Sequence, residues 1–305
     1  MRVQIKSIIS TTDLSDPSNH GVLYGVALAK QLGAKLYVCH VIDLTPTATY
    51  EMAVAYSIEQ QNRMVNYAHE HIQRLIGEES IDWEPLIKIG HAANEIARIA
   101  EEKDVTLAIS ASHGRSGLKR LVIGSVTESL MRTLPCPLLV VRSPELDVLA
   151  PEDQEITFQR ILVGCDFSPD SNLAFQFGLS LAQEFQCELH LAHVIEPSIY
   201  KDLLKPAREQ GEKLQQGLRD RLNEKLTGMV PEDARDWCKP KITLLGGQPH
   251  EELIKYAVVN NLDLIVLGVR GQSLVEKLFI GSTTDRVVRR APCPVLSVRP
   301  TVQSI

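Results

Sequence analysis

The chain has 305 residues, 44% hydrophobic and 23% charged, the make-up of ordinary globular material and enough for two cores. A formal net charge of −6 gives no electrostatic footprint for wholesale binding to nucleic acid or an anionic membrane. The opening residues lack the apolar run of a signal peptide, and no stretch of about 18 apolar residues follows. The expected setting is cytoplasmic, with no membrane insertion and no nucleic-acid partner.

In chain order, Ile5 to Ser10 reads as a first strand, followed by Ser15 before Asp16-Pro17. That places a hydroxyl at a helix cap and proline in its first turn. Leu23, Val26 and Ala27 then set an apolar face at helical spacing, and Gly33 suits the left-handed residue that ends a helix. A second strand is expected at Lys35 to Val41 and a long polar helix over roughly 50–77. A third strand ends at Ile89, and a helix runs from Ala93 to Lys103. The run from Val105 to Ser110 is apolar almost throughout, as in a parallel strand buried on both faces. A loop, a helix and a fifth strand, Leu138 to Arg142, complete the series.

The series then repeats. Asp13 and His40-Val41 recur as Asp166 and His193-Val194, both 153 residues on; Gly90, Gly114, Gly124 and Pro135-Cys136-Pro137 recur 157 residues on as Gly247, Gly271, Gly281 and Pro292-Cys293-Pro294. So many landmarks in one order mark a duplication. The second copy is expected to place strands at Arg160 to Gly164, Glu188 to Val194, up to Leu245, Leu262 to Leu267 and Val295 to Arg299. Its helices begin at Ser168-Pro169 and cover roughly 200–228 and His250 to Asn260. Leucines along that long polar helix suggest a cover for its own domain. The polar, proline-containing stretch Ser143 to Thr157 has no counterpart within a copy. The domains are therefore 1–143 and 158–305, with 144–157 as linker.

Alternating strands and helices imply right-handed crossovers and an α/β fold: two doubly wound five-stranded parallel sheets, one per domain. Ligands in such sheets sit beyond the strand carboxyl ends, where strand order reverses. After the fourth strand of copy two stand Gly268-Val269-Arg270-Gly271, nine residues, then Gly281-Ser282. Copy one has Ala111-Ser112-His113-Gly114, nine residues, then Gly124-Ser125. Glycines at such a turn let amides converge on an anion, and the Gly-Ser step opens a helix whose positive end attracts phosphate. Arg270 is a candidate for phosphate oxygens. The pattern is neither a P-loop nor a dinucleotide fingerprint, and no paired-glycine loop of the pyrophosphatase kind follows strand one.

The aspartate after strand one, the His-Val ending strand two and the spaced glycines resemble the universal stress protein family, in its tandem two-domain form, over nearly the whole chain. The resemblance implies an adenine nucleotide alpha hydrolase-like sheet in each domain and ATP, with or without Mg²⁺, as ligand. It implies Asp166 and Asp13 by the adenine and ribose, and Val194 and Val41 offering backbone hydrogen bonds to the base. It implies Gly268, Gly271, Gly281 and Ser282, with Gly114, Gly124 and Ser125, around the phosphates. Ala111 departs from the pattern. If its position needs positive φ, alanine costs about 1 kcal/mol; otherwise the methyl narrows the phosphate approach. The second domain is therefore expected to be the better site. The family's last strands pair across dimers, and the fifth strands here are apolar edges. An intramolecular pseudo-dimer is expected, with a further homodimer open.

The role expected is a stress-response protein holding nucleotide as a regulatory or sensing ligand. Slow ATP hydrolysis or adenylyl transfer is the enzymatic alternative, and a carrier with degenerate sites is the third. No catalytic residue is assigned: His40 and His193 lack an identifiable partner and read as structural. His190 and His193 face opposite sides of a strand, and His69 and His71 read as solvated. The six cysteines form no CxxC pair, so neither zinc nor a disulfide frame is expected.

Overall fold

The computed structural model describes residues 3–43, 58–112, 123–142, 156–197, 208–271 and 280–300. Apart from the extreme termini, its contacts divide the chain into two compact units, residues 4–156 and 157–299.

In the first unit β1 (Ser7–Thr12), β2 (Lys35–Ile42), β3 (Trp83–Ile89), β4 (Leu107–Ala111) and β5 (Leu138–Val141) alternate with α1 (Asp16–Leu32), α2 (Ile58–Ile76), α3 (Ala92–Glu102) and α4 (Ser125–Thr133). Neighbouring strands are parallel and lie in the order β3-β2-β1-β4-β5. The chain builds outward from β1 to β3, then returns to place β4 on the other side. Right-handed crossovers in opposite directions put the helix pairs on opposite faces, α1 against α2 and α3 against α4. All six residues of β1 are buried, Ile8 and Ile9 completely.

The second unit repeats this. Its strands are β6 (Arg160–Gly164), β7 (Glu188–Ile195), β8 (Pro240–Gly246), β9 (Leu264–Gly268) and β10 (Val295–Val298). Its helices are α5 (Pro169–Phe185), α6 (Arg208–Met229), α7 (Pro249–Val259) and α8 (Ser282–Arg290), with a 3₁₀ turn at Glu232–Asp236 before β8. The order is β8-β7-β6-β9-β10, again parallel. Leu226 of α6 is fully buried, whereas Leu214 is 48% exposed, so this helix covers its unit through its C-terminal end.

Several boundaries shift from the sequence reading. β1 begins two residues late. β4 and β9 begin at 107 and 264 because the preceding residues finish a helix: Val105 N–H reaches the Ala100 carbonyl and Leu262 N–H the Ala257 carbonyl, with Asp104 and Asn261 left-handed. The expected helical residues 50–57 and 200–207 lie outside the described residues. Gly33 ends α1 with φ +62°, and Gln186 closes α5 the same way at +49°. The two serine caps diverge. Ser168 Oγ accepts Ser171 N–H at 3.2 Å, as a cap should. Ser15 makes no side-chain cap; its hydroxyl donates to Asp13 Oδ1 instead.

Duplication has also been followed by exchange of charge. Lys35 on β2 lies 3.6 Å from Glu84 on β3, whereas at the same places Glu188 on β7 lies 2.7 Å from Lys241 on β8.

Candidate nucleotide site

Each sheet reverses direction between its first and fourth strands, so the turns after β6 and β9 share one end of the second unit, as do those after β1 and β4 in the first. In the second unit these turns interlock. Asp166 Oδ1 accepts Ser168 N–H at 2.9 Å, which folds the turn and leaves Phe167 at φ +63°. The other carboxylate oxygen reaches Gly271: a Cβ there would lie 2.7 Å from Oδ2. Gly281 closes on the same loop. Its N–H donates to the Val269 carbonyl at 2.7 Å, and a Cβ on it would lie 3.2 Å from that oxygen and 3.7 Å from Gly271 N. Asp166, Gly271 and Gly281 thus meet although 115 residues separate the first from the last.

Ser282 follows, exposed, as the first residue of α8. Thr284 of this first turn donates to the Gly268 carbonyl at 2.7 Å, which ties the helix start to the end of β9. The first amides of a helix have no intrahelical acceptor and sit at its positive end. Val194 lies near the end of β7, the neighbour of β6. Ala192 O accepts Cys165 N–H and Ile195 O accepts Gly247 N–H. By alternation along a strand, the Val194 carbonyl points to the β6 side, past that strand's last pair at Gly164.

Arg270 of this loop pairs with a side chain of α5. Its guanidinium lies along Asp170, Nε 3.0 Å from Oδ2 and Nη2 3.0 Å from Oδ1, and its N–H donates to Oδ2 at 3.1 Å. The sequence reading missed Asp170. It leaves no repeated mark, since the first copy has Pro17 at that place, and its partner is 100 residues away.

Gly268 packs closely against α5. Neither it nor Ala111 has positive φ. A Cβ on Gly268 would strike the Asp170 and Ser171 backbone at 2.7–2.8 Å, so this glycine admits α5 to the strand. In the first unit the small residue is on the helix: a Cβ on Gly21 would lie 3.3 Å from Ala111 N and 3.7 Å from the Ala111 methyl. The alanine therefore meets α1 and carries no positive-φ strain.

In the first unit Asp13 Oδ1 accepts Ser15 N–H at 3.1 Å and the hydroxyls of Ser15 and Ser18, the latter at 2.7 Å. Leu14 is left-handed at φ +65°. Gly124 N–H donates to Ser112 O at 2.8 Å, and exposed Ser125 opens α4. Ile42 O accepts Gly90 N–H, so the Val41 carbonyl points past the end of β1. Gly114 and His113 lie outside the described residues.

The strand-end histidines brace these turns. His40 Nδ1 lies 2.8 Å from the Thr12 carbonyl and His193 Nδ1 2.7 Å from the Cys165 carbonyl, so each Nδ1 carries the donated proton. His193 also stacks on Phe167 at 4.9 Å, and Lys225 caps that ring at 3.9 Å. His71 is not merely solvated: its Nε2 lies 3.1 Å from Asn19 Nδ2. The six cysteines are buried and unbridged, and burial pushes the Cys39 and Cys136 thiols up to about 12. Among the described residues no three His, Cys, Asp or Glu side chains form a group that could hold a metal ion, and no helix is long and apolar enough to cross a membrane.

The profile of the universal stress protein family matches residues 4–142 and again 157–299. The chain belongs to the universal stress protein family. Two domains of that family stand in tandem. Relatives align with about half of the chain. A universal stress protein of Methanocaldococcus jannaschii is 31% identical over 146 residues, 48% of this chain and 84% of the relative. One from Thermus aquaticus is 34% identical over 149 residues, 47% of this chain and 99% of the relative. Among solved structures, a universal stress protein from Archaeoglobus fulgidus superposes with a TM-score of 0.66 at 22% identity, covering 97% of this chain and 99% of its own. At that identity the likeness is one of fold.

Proposed function

We propose that this universal stress protein binds adenine nucleotide, ATP foremost, at the switch point of its second domain, as a regulatory or sensing ligand. The observation that carries the reading is the convergence of Asp166 on Gly271, with a Cβ-to-oxygen space of 2.7 Å, beside Gly281 and the start of α8. Amides bare of side chains next to a helix N-terminus favour phosphate oxygens. Asp166 and the Val194 carbonyl are acceptors suited to ribose hydroxyls and an adenine amino group. Mg²⁺ would accompany the triphosphate as part of the ligand. Asp13, Val41, Gly124 and Ser125 form the corresponding candidate site in the first domain. We assign no catalytic role to any residue.

Calorimetric titration of the intact protein with ATP, AMP and adenosine tests this. ATP is expected to bind more tightly than adenosine, and Gly271→Val, which drives a side chain into Asp166, to abolish the difference. A protein that retains no nucleotide on purification and shows no heat with any of the three ligands would overturn the reading.

A further inference from the structure

We infer that Asp170 and Arg270 form a clamp that sets the anion loop of the second domain, with Arg270 a positioning residue rather than a phosphate ligand. This rests on the nucleotide reading above and assigns a division of labour within that site.

Three alternate residues, two in the turn after β6 and one at the start of α5, each hold one part of the glycine loop. Asp166 fills the space left by the absent side chain of Gly271. Ser168 Oγ donates to the Arg270 carbonyl at 3.3 Å. Asp170 accepts the Arg270 amide and, in a two-pronged pair, its guanidinium. The Asp170 side chain is 5% exposed and that of Arg270 20%, so water does little to weaken the pair. Asp170 is also the second residue of α5, where the helix dipole stabilises its charge. The geometry fixes the direction of action. An arginine held by both Nε and Nη2 is oriented by its carboxylate, and the hydrogen-bonded amide fixes the main chain one residue before Gly271. Arg299 belongs to the same electrostatic group: burial first, then the charge of Arg270, lowers its pKa, while Asp170 opposes the shift.

The first domain cannot build this clamp, because Pro17 stands where Asp170 does and carries no carboxylate, and His113 replaces Arg270. Asp13 instead takes hydrogen bonds from within its own turn. An asymmetry between the two sites therefore rests on residues 17 and 170, not on Ala111.

The test is a double-mutant cycle in the intact protein, Asp170→Ala, Arg270→Ala and both, titrated with ATP and with adenosine. Hydrogen bonds to buried charges lead us to expect each single change to weaken the tighter ATP site about tenfold or more. The pair acts as a unit, so the double change should weaken it no further. Adenosine, which lacks phosphate, should bind as before. Loss of ATP affinity in Arg270→Ala but not in Asp170→Ala would make the arginine a ligand and overturn the clamp. Equal loss of adenosine and ATP would show general damage and overturn it too. Asp170→Asn keeps volume and one acceptor, and should lose ATP affinity while retaining the wild-type far-ultraviolet spectrum; wild-type affinity there would count against the charge. Hydrogen exchange separates this inference from the nucleotide reading. The Arg270 amide should exchange about tenfold faster in Asp170→Ala without any ligand, and unchanged exchange overturns the clamp. Absence of ATP and adenosine binding to the wild type would overturn the nucleotide reading alone.

Discussion

Ser10 and Gly25 interlock across β1 and α1: a Cβ on Gly25 would lie 2.0 Å from Ser10 Oγ. The serine is fully buried, and its hydroxyl has no hydrogen-bond partner. The second domain solves the same contact with Val163 against Gly178, an apolar pair with no such cost. Removing the stranded hydroxyl as Ser10→Ala should stabilise the protein by about 1 kcal/mol. Thermal unfolding of the intact chain reads the result, and a lower midpoint would refute it.

The inverse sizes at the α1–β4 and α5–β9 contacts predict a compensation. Gly268→Ala should cost about 1–3 kcal/mol because its methyl meets the backbone of Asp170. Adding Ala174→Gly copies the arrangement of Gly21 and Ala111 and frees α5 to withdraw. The double variant should unfold in denaturant at a higher midpoint than the single one. A double variant as weak as Gly268→Ala would deny that the helix sets the glycine.

His190 is 1% exposed, 3.0 Å from Tyr256 Oη through Nδ1 and 3.3 Å from Glu188 Oε2 through Nε2. Burial lowers its pKa from 6.5, while Glu188 pulls the other way. Above pH 6.5 the ring is neutral folded or unfolded, so its contribution is level. As the pH falls below 6.5 the unfolded chain takes a proton that the folded ring resists, and stability declines. Burial shifts His20 and His250 in the same direction. Stability should therefore fall as the pH drops below 6.5. His190→Tyr, which installs the residue found at Tyr37 in the first domain, should flatten part of that fall; an unchanged slope excludes His190 as its source.

Leu14 holds φ +65° one residue after Asp13, a conformation that costs a branched side chain about 1 kcal/mol. Asparagine tolerates it, so Leu14→Asn should raise the unfolding midpoint while the turn keeps its hydrogen bonds. A fall in the midpoint would show that the leucine contributes more by packing than its backbone costs.

The two copies, their strand–helix alternation and the buried central strands are legible in the sequence because each leaves a periodic or repeated mark. Gly33 is legible because ending a helix is a local act. Asp170 is not, since its partner lies 100 residues away and neither residue forms a pattern with its neighbours. Ala111 is open to misreading for a related reason. A missing glycine in a glycine-spaced loop invites an account in terms of ligand, whereas the residue that meets Ala111 is Gly21, on a different element. The left-handed turns at Leu14 and Phe167 leave no compositional trace, because neither residue type favours that region.

Duplicated domains carry a folding hazard: a strand of one can add to the sheet of the other. The opposed polarity of Lys35–Glu84 and Glu188–Lys241 bears on that hazard. If β3 docked beside β7 in the same register, Glu84 would lie diagonal to Glu188; if β8 docked beside β2, Lys241 would lie diagonal to Lys35. Both errors set like charges side by side, so the exchanged polarity of the two pairs disfavours each mismatched sheet.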